Sequence, residues 1–171
     1  MRHLSRAVLA AATLVAGIPI GARLAIAETR APEAPAPPAP YVLFVCEHGN
    51  VKSLMAAEYF ARLAAARGLV LEARARGTAP NSASVPPPIV AGLRAESYEV
   101  ADFVPRAVTA ADAAGALRVV VIGTVLPTDV AAAAPAVEVW GDVPAASEDF
   151  AAARAALLRH LDALLQDLPT H

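Results

Sequence analysis

The run Tyr41-Val-Leu-Phe-Val-Cys46-Glu-His-Gly-Asn-Val-Lys52-Ser53-Leu-Met-Ala-Ala-Glu58 changes character twice within eighteen residues. Tyr41 to Val45 is unbroken apolar sequence with β-branched and aromatic side chains, as expected of a parallel strand buried on both faces. Cys46 to Val51 is short and polar. Lys52 to Arg67 is rich in Ala, Leu and Met, with Met55, Tyr59 and Leu63 four residues apart, which predicts a helix closed by Gly68.

The same alternation continues downstream. Leu69 to Arg76 reads as a second strand ending at Gly77-Thr78, and Pro88 to Glu96 as a short helix. Thr109 to Ala116 reads as another helix with Thr109 as its N-cap. Arg118 to Ile122 is a third buried strand ending at Gly123, and Ala136 to Trp140 a fourth. Ser147 to Leu168 reads as the last helix, capped by Ser147, with Phe150, Leu157, Leu161, Leu164, Leu165 and Leu168 on one face. Apolar strands alternating with helices imply an open α/β fold, a four-stranded parallel sheet with right-handed crossovers in a single three-layer domain. Ligands of such sheets bind where strands end and helices begin, so the first junction is the place to look for chemistry.

The rest of the chain bounds the function. Its 171 residues suffice for one domain, and at 57% hydrophobic and 18% charged they can bury a core. A net charge of −2 gives no basic field for nucleic acid. One cysteine excludes an internal disulfide framework and a Cys-based zinc cluster, and four scattered histidines (His3, His48, His160, His171) suggest no structural metal. Met1 to Ala27 reads as a signal peptide: a basic start, a 16-residue uncharged run from Ala7 to Ala22, and Ala25-Ile26-Ala27 as the cleavage pattern. That run falls short of the roughly 20 residues of a spanning helix, and an uncleaved N-terminal membrane anchor is the alternative reading. Residues 28–40 form a linker whose last ten positions hold five prolines, extended polyproline rather than core. The folded domain is expected over residues 41–171, in an exported, periplasmic or secreted protein. Cleavage after Ala27 would leave eleven basic against sixteen acidic residues, unfavourable to an anionic membrane surface.

The chemistry concentrates in Cys46 to Ser53. The lone thiol stands at a strand's carboxyl end, just before a helix N-terminus, where amides and the helix dipole favour an anion and thiolate over thiol. Gly49 permits a tight turn because it takes positive φ without steric cost. Lys52 brings a cation to whatever anion the loop holds, and Ser53 can hydrogen-bond the thiolate. A nucleophile, an anion cradle (Glu47, His48, Gly49, Asn50, Val51, Lys52) and a cation within eight residues suit phosphoryl transfer through a covalent thiophosphate. Each element alone has a bland explanation, since a lone Cys is most often a small buried hydrophobe. Their coincidence on the first strand-to-helix turn is what points to a site.

These residues resemble the opening of the low-molecular-weight protein tyrosine phosphatase and arsenate reductase superfamily: an apolar strand, Cys-x5-Arg-Ser, then a helix containing Met-Ala-Glu. Looser similarity extends through Gly77-Thr78, Pro105-Arg106, Val108-Thr109 and Trp140-Gly141-Asp142, over about residues 41–168. The resemblance implies a phosphotyrosine protein phosphatase I-like fold, with Cys46 as nucleophile, no metal and no cofactor. Three departures stand out. The family's phosphate-clamping Arg is Lys52 here, a mobile point charge in place of a planar bidentate fork. Because the other thirteen basic residues are all Arg, this Lys reads as selected for a different anion or weaker binding. The family's general acid comes from an Asp-Pro pair; the nearest candidate is Asp142, with Val143 interposed before Pro144, and Asp129 is a weaker one. Arsenate reduction in this family passes a disulfide among several cysteines, so Cys46 alone would need an external thiol.

His48 reads as loop-shaping or as added positive charge. Arg76 and Arg106 face either the anion or surface carboxylates, and Glu47 opposes an anion unless it points to solvent. The expected function is thus an exported cysteine-dependent phosphatase-like hydrolase of a phosphomonoester, with Cys46, Lys52, Ser53 and Asp142 catalytic. An arsenate reductase using an external thiol is one alternative, a catalytically weak oxyanion-binding protein another. Residues 78–88 and 123–135, expected as recognition loops, contain no aromatic side chain to stack on phosphotyrosine.

Overall fold

A computed structural model describes residues 39–168 of the chain. The signal-peptide reading and most of the proline-rich linker lie outside the described residues. Among those residues no helix is long and apolar enough to cross a membrane. Nine elements follow one another: β1 (Tyr41–Cys46), α1 (Lys52–Ala66), β2 (Glu72–Gly77), α2 (Pro87–Ala95), α3 (Ala110–Ala114), β3 (Arg118–Ile122), α4 (Thr128–Ala133), β4 (Val137–Trp140) and α5 (Phe150–Asp167). The sheet has the order β2-β1-β3-β4 and is parallel throughout.

All six residues of β1 are buried. Because side chains alternate across a strand, its two faces feed two cores. Val42 and Phe44, with Val120, Ile122 and Trp140, pack under α1, α2 and α5 against Leu54, Phe60, Ile89, Leu157 and Leu161. The Phe44 ring meets Phe60 at 5.6 Å and Trp140 at 5.9 Å, both tilted. Leu43, Val45, Val119 and Val121 pack on the other face against Ala113 and Val130 of α3 and α4, a thinner layer. Val125, Val137 and Val139 stay exposed beside it, because α4 is too short to cover the edge strand β4.

Three boundaries differ from expectation. α5 begins at Phe150 rather than Ser147, because Ala145 to Asp149 first closes a turn and Asp149, not Ser147, accepts the Ala152 amide at 2.8 Å. β2 starts at Glu72 instead of Leu69, at the point where the Glu72 amide meets the Pro40 carbonyl. Residues 123–135, expected as loop, contain α4, which begins directly after Pro127.

Thr109 caps α3 as expected, in a reciprocal box with Asp112. Asp112 also accepts from Arg76 on β2 at 3.1 Å, tying helix to sheet. Burial pushes the Asp112 carboxyl up, but hydrogen bonds from Thr109 and Arg76 outweigh it and hold the group below the usual carboxylate range. The native state therefore binds this proton less readily than the unfolded chain, so the stabilisation is complete at neutral pH. It is expected to fade as acid passes the ordinary carboxylate range and to vanish below the native value. Asp112→Asn should lower stability at pH 7 by about 1–2 kcal/mol and flatten the acid limb of a stability–pH curve below about pH 4, read by circular dichroism.

Candidate active site

The site lies at the carboxyl edge of the sheet, where β1 runs into α1. Residues 46–51 leave the strand and turn back into the helix, and two glycines make the turn possible. Gly49 has φ +76°, and a Cβ there would stand 2.6 Å from the Gly77 amide nitrogen. Reciprocally, a Cβ on Gly77 would stand 2.7 Å from the His48 carbonyl carbon. The loop backbone thus lies directly on the end of β2. Hydrogen bonds fasten it there: the Thr78 amide donates to the Cys46 carbonyl at 3.0 Å and the Ala79 amide to that of Glu47 at 2.7 Å. Asn50 is buried, and its side-chain amide donates to the Ser84 carbonyl at 2.9 Å, holding the loop's far side.

This scaffold aims donors at the sulfur. The Gly49 amide points to Cys46 Sγ at 3.3 Å, and Ser53 Oγ, fully buried, lies 3.1 Å from the same atom. No side chain caps α1, so its first-turn amides are left to the loop's hollow or to a ligand. Cys46 is only 4% exposed, yet it borders a cavity of about 180 Å³ shared with Glu47, His48, Val51, Lys52, Gly123, Ala145, Ala146 and Ser147. Lys52 reaches across the cavity wall, its ammonium donating to the Val143 carbonyl at 3.4 Å. The seat exists because Gly123 has no side chain, since a Cβ there would approach Nζ to 2.6 Å.

Cys46, Glu47, His48, Val51 and Lys52 therefore line one cavity, Gly49 and Ser53 stand behind the sulfur, and Asn50 serves as a buttress. Asp142 is not brought to the cavity. Its exposed carboxylate bonds His160 on α5 at 2.5 Å and lies 3.8 Å from Arg159, while the His160 ring stacks on Trp140 at 4.7 Å. The hydrogen bond from His160 holds the Asp142 carboxyl below the usual carboxylate range. Arg76 does not face the anion site either, because Asp112 takes it to the other face of the sheet. Arg106 is exposed and contributes its carbonyl, which accepts the Gly77 amide at 2.9 Å. Asp129 lies in the first turn of α4 and is absent from the cavity wall.

Three wall residues escaped the sequence reading. Gly123, which ends β3 on the same sheet edge as Cys46, falls at the start of the recognition loop expected over residues 123–135. Ala145, Ala146 and Ser147 carry no such signal, because a small-residue segment before a helix looks like an ordinary approach to a cap.

The sequence profile of the family described as low molecular weight phosphotyrosine protein phosphatase matches residues 41–125. No curated protein matches the chain. Among solved structures, the fold is similar to that of a low-molecular-weight protein tyrosine phosphatase from T. tengcongensis, with TM-score 0.63 and 22% identity over 76% of this chain and 100% of that one. The thioredoxin-dependent arsenate reductase of Corynebacterium glutamicum aligns with TM-score 0.59 and 23% identity over 77% of this chain, which spans 62% of that protein's length. An arsenate reductase from Archaeoglobus fulgidus aligns with TM-score 0.53 and 24% identity, over 74% of this chain and 99% of that one.

Proposed function

From a domain that belongs to the superfamily of low-molecular-weight phosphotyrosine protein phosphatases and arsenate reductases, we propose a cysteine-dependent hydrolase of phosphomonoesters. The observation that carries this reading is Cys46 Sγ, held between the Gly49 amide and Ser53 Oγ and bordering a cavity with Lys52 on its wall. A sulfur so held faces the cavity, where as a thiolate it would be the nucleophile that attack on a phosphoryl group requires. In this reading the sulfur attacks phosphorus in line and the S–P bond forms as the ester P–O bond breaks. Loop amides of residues 47–52 and the Lys52 ammonium hold the equatorial oxygens, and water then releases phosphate and restores the thiolate. The uncharged run Ala7 to Ala22 ahead of Ala25-Ile26-Ala27 supports work outside the cytoplasm.

The test is phosphate release from p-nitrophenyl phosphate, inhibited competitively by inorganic phosphate. A protein that binds phosphate but never turns the ester over would refute hydrolysis and leave an oxyanion binder. Lys52 supplies an ammonium on the wall, so Lys52→Ala should weaken phosphate binding about 10- to 100-fold, the worth of one charge-assisted hydrogen bond. Calorimetric titration checks it; unchanged affinity would place the anion elsewhere.

A second reading draws on the arsenate reductases among the similar structures and on a cavity wall without aromatic residues. Cys46 would bond arsenate, and an external thiol would carry the electrons, since the chain has no second cysteine. Thiol consumption that depends on arsenate separates it from the hydrolase.

A further inference from the structure

The cavity poses a chemical question that Asp142 does not answer. An alkoxide or phenoxide leaves phosphorus far more readily when a proton reaches its oxygen in the transition state. Asp142 is bound to His160 and Arg159 outside the cavity, and its carboxyl is held ionised by that contact. Among the described residues, the titratable side chains on the cavity wall are Cys46, Glu47, His48 and Lys52. Cys46 is the nucleophile, and Lys52 is an ammonium seated on the Val143 carbonyl. Glu47 and His48 remain. They lie beside one another, with His48 Nε2 3.8 Å from Glu47 Oε1 and the imidazole 39% exposed against 66% for the carboxylate.

We propose that His48, positioned by Glu47, is the proton donor to the leaving oxygen, in the role expected of Asp142. The proposal rests on the hydrolase reading above. Imidazole is the side chain most often used for such transfer, and Glu47 sets a carboxylate within ion-pair reach of the ring. In the first step the Cys46–phosphorus bond forms and the ester P–O bond breaks; the oxygen keeps the electron pair and takes the proton from His48. In the second step neutral His48 accepts a proton from water as the water oxygen attacks phosphorus. The S–P electron pair then returns to sulfur, phosphate departs and His48 is again protonated. The substrates are phosphomonoesters with poor leaving groups, which gain most from a donated proton. Around the ring the titratable neighbours on the wall are Glu47, Lys52 and Cys46.

Leaving-group dependence tests this directly. The native protein and the His48→Gln, Glu47→Gln and Asp142→Asn variants are compared on phenyl phosphate and 2,4-dinitrophenyl phosphate, whose leaving group departs without help. His48→Gln is expected to lower kcat on phenyl phosphate about 10²-fold or more, but on the dinitrophenyl ester less than about threefold. It should also steepen the dependence of rate on leaving-group pKa. Glu47→Gln should show a weaker selective loss, and Asp142→Asn should match the native protein on both. Equal losses on the two esters in His48→Gln would reduce His48 to a structural role and overturn the proposal. A selective loss in Asp142→Asn would overturn it too, by returning the proton to that residue. If the native protein hydrolyses neither ester, the hydrolase reading falls and this proposal with it.

Discussion

Cys46→Ser protein is expected to lose phosphate release by on the order of 10⁴-fold or more, because one atom of the nucleophile carries the whole covalent route. The loss should not come from unfolding. The new hydroxyl occupies the sulfur's place between the Gly49 amide and Ser53 Oγ, two groups that already offer it hydrogen bonds. A stability change under about 1 kcal/mol is therefore expected, together with continued stabilisation by phosphate. Steady-state kinetics beside thermal melts with and without phosphate check both halves. Residual turnover within about tenfold of the native rate would mean that water attacks directly and that Cys46 is a binding residue only.

Gly49→Ala is the second large effect, and it acts through the backbone. At φ +76° an L-residue sits in the left-handed region, which alone costs about 1–2 kcal/mol. The added carbon would also stand 2.6 Å from the Gly77 nitrogen, which is main chain and cannot swing aside. The combined loss should reach about 3 kcal/mol or more, with the Gly49 amide pulled off the sulfur. Chemical denaturation reports the stability, and reaction of Cys46 with iodoacetamide reports the loop. A variant as stable as the native protein, with native alkylation kinetics, would contradict the close approach of these two backbones.

How far the sequence disclosed the site follows from the range of the interactions involved. β1, the loop and α1 were legible because adjacent residues make them: apolar run, polar turn, helical period. The parallel sheet was legible from the same local alternation. Lys52 could be picked out as a cation, but not its perch on Val143 and Gly123, since those contacts join residues 91 positions apart in one case. The surroundings of Asp142 were illegible for a similar reason. The family resemblance offered it as the general acid, whereas its contact with His160 on α5 joins residues 18 positions apart. Arg76 was ambiguous until Asp112 claimed it. Ser147 and Asp149 are both good caps by type, and only the turn from Ala145 decides between them.

The unequal cover of the sheet's two faces sets the order in which this molecule comes apart. On one side α1 and α5, fifteen and eighteen residues long, shield Phe44 and Trp140; on the other, α3 and α4 have five and six. Brief partial openings should begin beneath the short helices, exposing amides of β3 and β4 to solvent exchange well before those of α1. The sulfur and the turn around it are anchored to the slow half, so the cysteine can keep its surroundings while the opposite flank of the protein breathes.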